Sequence, residues 1–128
     1  MLSDILKGLQ VIFNQTQWES IREMVLREKG IVMLQGPPGT GKTSTLMGLL
    51  SAQFEYLKRI GDNRKIMICA PSNAAVDHIV KRLLTEGIFN GEGEIFFPNA
   101  LRVGIVETSD ETVRSVSLDD LCEKKMIE

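Results

Sequence analysis

Eight consecutive residues hold most of the chemistry legible in this 128-residue chain: Gly36-Pro37-Pro38-Gly39-Thr40-Gly41-Lys42-Thr43. Glycines at 36, 39 and 41 let the backbone curl until successive N–H groups converge, a path that bulkier residues resist. A lysine and a hydroxyl follow at once. Together these groups suit a triphosphate: the converging N–H donors take oxygens, the Lys42 ammonium neutralises the β and γ phosphates, and the Thr43 hydroxyl completes a Mg²⁺ shell made mostly of water and phosphate oxygen. The spacing Gly-x4-Gly-Lys-Thr is the Walker A pattern. A glycine-rich turn with a solvated lysine is the plainer alternative, but an ordinary turn does not need this spacing.

Such a loop works only between a strand and a helix whose N-terminus adds donors and dipole. Ile31-Val32-Met33-Leu34 is short and continuously apolar, as a strand buried on both faces should be, and it runs into the loop. Beyond Lys42, the residues Leu46, Leu49, Leu50, Phe54 and Leu57 keep helical spacing until Gly61-Asp62-Asn63 supplies a stop. Ile66-Met67-Ile68-Cys69-Ala70 repeats the strand pattern and stops at Pro71; Val76, Ile79, Val80, Leu83 and Leu84 then predict a second helix. Upstream, Thr16-Gln17-Trp18-Glu19 has capping-box spacing and predicts a helix from Thr16 to about Glu28. Residues from Gly87 to Asn99 read as loop with a short edge strand at Ile95-Phe96-Phe97, and Leu101 to Val106 as a third strand. Ser117-Leu118-Asp119-Asp120-Leu121 reads as a capped helix start. Strand and helix alternate, which is the grammar of an α/β fold with a parallel sheet and right-handed crossovers.

Composition sets the limits. Apolar residues make up 43% and charged residues 25%, ordinary for a folded domain. Fifteen Lys and Arg stand against 17 Asp and Glu, so no global positive field draws nucleic acid, and any such contact must be local. Cys69 and Cys122 lie far apart with one histidine, His78, in the chain; they read as reduced thiols rather than a metal set. Met1 to Lys7 carries an early acid and lacks a continuous apolar stretch, and no run approaches membrane-span length, so neither secretion nor membrane insertion is expected.

Three segments in order resemble the motifs of one family. Phe13-Asn14-Gln15-Thr16-Gln17, Leu34-Gln35 with the phosphate loop, and Ile68-Cys69-Ala70-Pro71-Ser72-Asn73-Ala74-Ala75-Val76-Asp77 are similar to the Q motif, motif I and motif Ia of superfamily 1B helicases, nearest the senataxin-like branch. Leu101-Arg102-Val103-Gly104 and Ser117-Leu118-Asp119 resemble the stretch that follows motif Ia there, so the likeness runs from Phe13 onward. It implies an α/β P-loop NTPase fold, an incomplete RecA-like parallel sheet with flanking helices, with residues 1–128 forming the N-terminal part of a helicase ATP-binding domain. It implies ATP and Mg²⁺ as cofactors held by Gly36 to Ser44, with Gln17 selecting adenine through its paired amide donor and acceptor. Read without the family, Gln17 merely faces solvent in a first helical turn. It further implies single-stranded RNA or DNA as the parent's partner, met by Pro71, Ser72 and Asn73 where small polar side chains and N–H groups begin a helix. Simple capping by one of these residues is the plainer reading, compatible with the other. Lys81 and Arg82 offer at most screened phosphate attraction. Nuclear or cytoplasmic placement, with nuclear preferred, comes from the resemblance alone.

Hydrolysis needs a Walker B carboxylate, a second acid and an arginine for the γ-phosphate. The family carries these in later motifs. Asp119-Asp120 does not supply them, because Val113 to Leu118 alternates polar and apolar residues where a Walker B strand is continuously apolar. The expectation is therefore a chain that binds Mg-ATP without unwinding alone. A standalone non-catalytic module of helicase descent and a small P-loop kinase are the alternatives, the latter disfavoured by scattered arginines.

Overall fold

Leu2, Ile5, Leu6 and Leu9 recur at helical intervals, and Leu2–Gln10 forms helix α1 with Ile5, Leu6 and Leu9 buried. The sequence reading weighed this stretch only as a leader and so passed over the helix. The computed structural model describes residues 1–27, 30–37, 39–106 and 110–127. They form two compact units, one of residues 1–66 with 88–96, the other of residues 67–87 with 97–128.

In the first unit α1 is followed by α2 (Gln15–Leu26). Its N-cap is Asn14, whose side chain accepts from the Gln17 N–H at 2.9 Å while the Gln17 side chain accepts from the Asn14 N–H at 3.3 Å. The capping box is thus Asn14 with Gln17, not Thr16 with Glu19: asparagine caps better than threonine, and the box forms two residues earlier. The predicted end at Glu28 lies outside the described residues. Helix α3 (Lys42–Arg59) ends in a Schellman turn in which Gly61, at φ 67°, donates to the Lys58 carbonyl and Asp62 donates to the Leu57 carbonyl.

The buried face of α3 is the predicted leucine stripe only in part. Leu50 is buried as expected, together with Thr45, Met47, Gly48, Ser51, Ala52 and Glu55, whereas Leu46, Leu49, Phe54 and Leu57 are half-buried. Close packing against α2 requires small residues: a Cβ on Gly48 would lie 2.3 Å from the Ile21 side chain and 2.9 Å from the Phe13 ring. Ile5, Leu9, Ile21 and Ala52 make the core, flanked by Ile12, Phe13, Trp18, Val25, Tyr56 and Phe89. A hairpin of β1 (Ile88–Phe89) and β2 (Ile95–Phe96) closes this unit, Ile88 opposite Phe96. The buried Ser51 hydroxyl accepts from the Phe89 N–H at 3.1 Å and donates to the Met47 carbonyl, which ties β1 to α3. The Asn90 side chain shapes the turn by accepting from the N–H groups of Glu92 and Glu94.

The second unit holds α4 (Asn73–Thr85), the single turn α5 (Glu111–Arg114) and α6 (Leu118–Ile127). Ser117 caps α6 by accepting from the Asp120 N–H at 3.2 Å, as its sequence predicts. Val80, Leu83 and Val113 are buried, and so are Asp77, Arg102 and Ser117.

The strands are where sequence and structure part. Among the described residues the sheet is the antiparallel β1-β2 hairpin. Ile31–Leu34 and Ile66–Ala70 have no strand pairing, and Leu101–Val106 makes one parallel bridge, Arg102 to Ser117. The expected parallel sheet is therefore not formed among the described residues. Its apolar runs stand exposed, Ile31 at 86% and Met33 at 91%. A helix satisfies its own backbone; a strand needs a neighbour, and local apolar character cannot provide one. Among the described residues no helix is long and apolar enough to cross a membrane.

Candidate functional site

The phosphate loop takes its shape from two glycines in left-handed backbone, Gly39 at φ 78° and Gly41 at φ 80°. Gly36 serves differently: a Cβ there would lie 2.9 Å from the Thr40 hydroxyl, so the missing side chain leaves room for the loop to fold over itself. Thr40 donates to the Pro37 carbonyl at 2.7 Å. Pro38 lies outside the described residues. Gly41 is the N-cap of α3 and offers no side-chain cap, which leaves the start of that helix to be met by an external acceptor.

Lys42 is exposed, and its ammonium donates to the carbonyls of Gly36 and Pro37, the latter at 2.8 Å. The side chain therefore curls back over the loop, so its charge stands above the ring of backbone that a phosphate would enter. Thr43 and Ser44 continue the first turn of α3, and both are half-buried. Thr45 instead turns inward and donates to the Gly41 carbonyl at 3.2 Å. The glycine-shaped backbone and the lysine thus lie together on one loop and helix start.

Gln17 stands beside them. Its Nε2 reaches the Gly41 carbonyl at 3.5 Å, and a Cβ on Gly41 would lie 2.5 Å from that nitrogen. Gln17 is half-buried: one amide lone pair serves the capping box and one N–H reaches toward the loop. The amide retains a second N–H and a second lone pair, the pair of functions that an adenine edge needs.

In the second unit, Pro71 and Ser72 are exposed and Asn73 is half-buried. Ser72 is the N-cap of α4, its hydroxyl accepting from the Ala75 N–H at 3.2 Å. Asn73 begins the helix, and its Oδ1 accepts from Arg102 Nη2 at 3.2 Å. Arg102, only 2% exposed, also bonds Asp77 Oδ1 at 2.7 Å, the Ile105 carbonyl at 2.9 Å and the Val103 carbonyl. The sequence reading counted Arg102 among scattered arginines. The signal it carries is a cation at the middle of the apolar alternation Leu101-Arg102-Val103, combined with Asn73 and Asp77 at i and i+4 on one helix face.

Other charges settle plainly. Lys81 pairs with Asp110 at 2.7 Å and Arg82 with Glu86 at 2.6 Å, so both are engaged by acids of their own unit. The Lys81 hydrogen bond, followed by the Thr112 N–H, holds the Asp110 carboxyl below its ordinary range. Asp119 and Asp120 lie in the first turn of α6, not at the end of a strand. Cys69 and Cys122 are exposed free thiols, and among the described residues no group of His, Cys, Asp and Glu is arranged to hold a metal ion.

Residues 12–128 match the AAA domain family. Helicase sen1 from Schizosaccharomyces pombe is 38% identical over 127 residues, an alignment covering 90% of this chain and 7% of that protein. Helicase SEN1 from Saccharomyces cerevisiae is 34% identical, covering 88% of this chain and 6% of the other. The protein named probable helicase senataxin from Homo sapiens is 31% identical over 112 residues, covering 75% and 4%. The chain therefore spans less than a tenth of the length of these relatives. It belongs to the AAA domain family, as a P-loop segment of the senataxin-like helicase kind.

Proposed function

We propose that this chain is the ATP-binding front of an RNA/DNA helicase motor. Gly36 to Ser44 hold Mg-ATP: the Lys42 ammonium exchanges the Gly36 and Pro37 carbonyls for β and γ phosphate oxygens, Thr43 supplies a hydroxyl to Mg²⁺, and Gln17 reads the adenine edge. Pro71, Ser72 and Asn73 add contacts to one nucleic-acid strand. The runs Ile31–Leu34, Ile66–Ala70 and Leu101–Val106 are the strands of a RecA-like parallel sheet whose remaining members are supplied by further parts of the parent protein.

The observation that carries the ATP reading is the loop itself, with Gly39 and Gly41 in left-handed backbone at the uncapped start of α3 and Lys42 folded above them. Exposure of the strand-like runs supports the incomplete sheet. ATP supplies the phosphoanhydride whose cleavage drives such motors; this chain's residues bind and orient it, and no Walker B carboxylate is legible beside them.

A titration of the 128-residue chain with a fluorescent ATP analogue and Mg²⁺, alongside Lys42→Ala, tests the proposal. The wild type is expected to bind, the variant to bind roughly tenfold or more weakly, and neither to release phosphate with or without single-stranded RNA. Equal binding by both folded proteins would sink the ATP assignment. RNA-stimulated phosphate release by the wild type would show that the catalytic acids lie within this chain after all.

A further inference from the structure

We infer that Asn14 is a positioning residue for base selection: its backbone N–H and the Gly41 carbonyl hold opposite ends of the Gln17 amide and so fix which end meets which atom of the base. The inference rests on the reading of Gln17 as the residue that meets the adenine edge.

A glutamine amide has an accepting end and a donating end, and a half turn about its last torsion exchanges them. Here each end has a fixed partner. The Asn14 N–H can only donate, and it lies 3.3 Å from Gln17 Oε1; the Gly41 carbonyl can only accept, and Gln17 Nε2 reaches it at 3.5 Å. Polarity alone therefore assigns oxygen and nitrogen. A half turn would set the NH₂ group against the Asn14 N–H and the amide oxygen against the Gly41 carbonyl, replacing two attractive contacts by two repulsive ones. Adenine offers an N6 donor beside its N7 acceptor, whereas guanine offers two acceptors, O6 and N7. An amide held one way meets adenine with two complementary contacts and guanine with one complementary and one repulsive contact. An amide free to turn would show adenine its mismatched face for part of the time. Pinning thus sharpens the preference without adding a contact to the base.

The backbone that carries the two partners is fixed as well. Asn14 stands at φ −66° and ψ 165°, and its own side chain accepts from the Gln17 N–H at 2.9 Å, which aims the Asn14 N–H back at the Gln17 side chain. Ile21, one turn beyond Gln17 on α2, fills the space over Gly48, two turns beyond Gly41 on α3. The two helices meet along one seam, with Gln17 and Gly41 at the end nearest the phosphate loop. Gly41, at φ 80°, permits the close approach, since a Cβ there would lie 2.5 Å from Nε2. The N-cap of α2 therefore does more than keep a helix from fraying.

The test compares ribose-labelled fluorescent ATP and GTP analogues, each with Mg²⁺, on the full 128-residue chain as wild type, Gln17→Ala, Asn14→Ser, Asn14→Ala and Asn14→Pro. Proline fits the φ of residue 14 but has no N–H, alanine removes only the side-chain cap, and serine keeps both cap and N–H. Asn14→Pro is expected to weaken the ATP analogue roughly tenfold and leave the GTP analogue unchanged, as Gln17→Ala does. Asn14→Ser should keep the wild-type ratio and Asn14→Ala most of it. Equal losses for both analogues in Asn14→Pro would make Asn14 merely structural and overturn the proposal. An equal fall of the ratio in Asn14→Ala and Asn14→Pro would assign the effect to the cap rather than the N–H and overturn it too. A wild-type ratio in Asn14→Pro, with Gln17→Ala lowered, would overturn it while leaving Gln17 as the reader of adenine. A wild-type ratio in both would overturn that reading and this proposal with it. Should Asn14→Pro fray α2, hydrogen exchange of the Asn14 amide decides: it should run severalfold faster in Gln17→Ala than in wild type, and equal rates would overturn the proposal.

Discussion

The unit that carries the phosphate loop has an apolar core, Ile5, Leu9, Ile21 and Ala52 with the aromatic rings of Phe13, Trp18, Tyr56 and Phe89 around them, although Thr45, Ser51 and Glu55 of α3 are buried too. The unit that carries Pro71 to Asn73 buries Val80, Leu83 and Val113, but its middle is the Arg102–Asp77 pair with Ser117 beside it. Apolar burial is non-directional and roughly proportional to area, so it tolerates repacking. A buried ion pair is directional and conditional: it holds geometry well while both partners stay, and leaves an uncompensated charge when one goes. The first kind of centre suits a scaffold whose task is to hold a helix N-terminus under a loop. The second suits a place where one side chain must point one way.

The sharpest way to break this contrast is to remove the cation. Arg102→Met leaves Asp77 buried, with Oδ2 already lacking a hydrogen-bond partner among the described residues and Oδ1 now losing Arg102. The expected cost is about 3–5 kcal/mol. It should appear as loss of amide protection across α4, α5 and the Arg102–Ser117 bridge, while α1, α2 and α3 keep theirs. Uniform loss across both units would show that the two do not unfold separately. No loss would show that Asp77 is not buried against Arg102 in solution.

Next in size is the counterpart in the carbon-lined unit. Ile21 is fully buried and its Cδ1 fills the space above Gly48. Ile21→Ala should cost about 2–5 kcal/mol through lost transfer energy and the cavity left behind. Because the site is apolar and bordered by the flexible Phe13 ring, partial collapse is possible, and the melting transition should shift without changing the nucleotide preference of the folded protein. A change in the ratio of ATP to GTP analogue binding would instead show that α2 transmits the cavity to Gln17, four residues earlier on the same helix.

Helices were legible because their signals are local. Ser72 and Ser117 cap where their sequence says, and Gly61 stops α3 where expected. The phosphate loop was legible for the same reason, since glycine spacing dictates its backbone directly. What failed depended on distant partners. Ile31–Leu34 has strand composition without a strand, because pairing groups must come from elsewhere. The inner face of α3 was legible only in part: Leu50 is buried as its spacing predicts, but hydrophobicity also points to Leu46, Leu49, Phe54 and Leu57, whereas Ile21 and Phe13 approach closely at Gly48, and Thr45, Ser51 and Ala52 are buried on the same helix. Arg102 was legible only as part of a stretch resembling the family, because its burial is identified only once Asp77 and Asn73 are seen around it.

The smallest expected effect sharpens the comparison from its polar side. Asp110 caps α5 by accepting from the Thr112 N–H at 2.9 Å, and its other oxygen meets Lys81 of α4 at 2.7 Å. The Lys81 hydrogen bond is the larger cause and the Thr112 N–H the next in lowering its pKa from the ordinary 3.8. A depressed folded-state value means the stabilisation is complete above the unfolded value near 3.8 and is lost as pH falls through the lower, folded one. The pair is solvent-exposed enough to be screened, so its contribution is small and salt-sensitive. Asp4 and Asp62 are also lowered, by the N-terminal ammonium and by Arg64 respectively, so a global acid melt would mix three carboxylates. Site-resolved carboxyl ¹³C titration separates them. Asp110 should titrate below 3.8 in the wild type and move up toward that value in Lys81→Ala, more completely in wild type plus high salt than Asp62, whose largest cause is the Arg64 backbone N–H rather than a cation. An Asp110 midpoint that ignores both Lys81→Ala and salt would mean that α5 is held by the Thr112 cap alone and that the α4–α5 charge pair contributes nothing to the second unit.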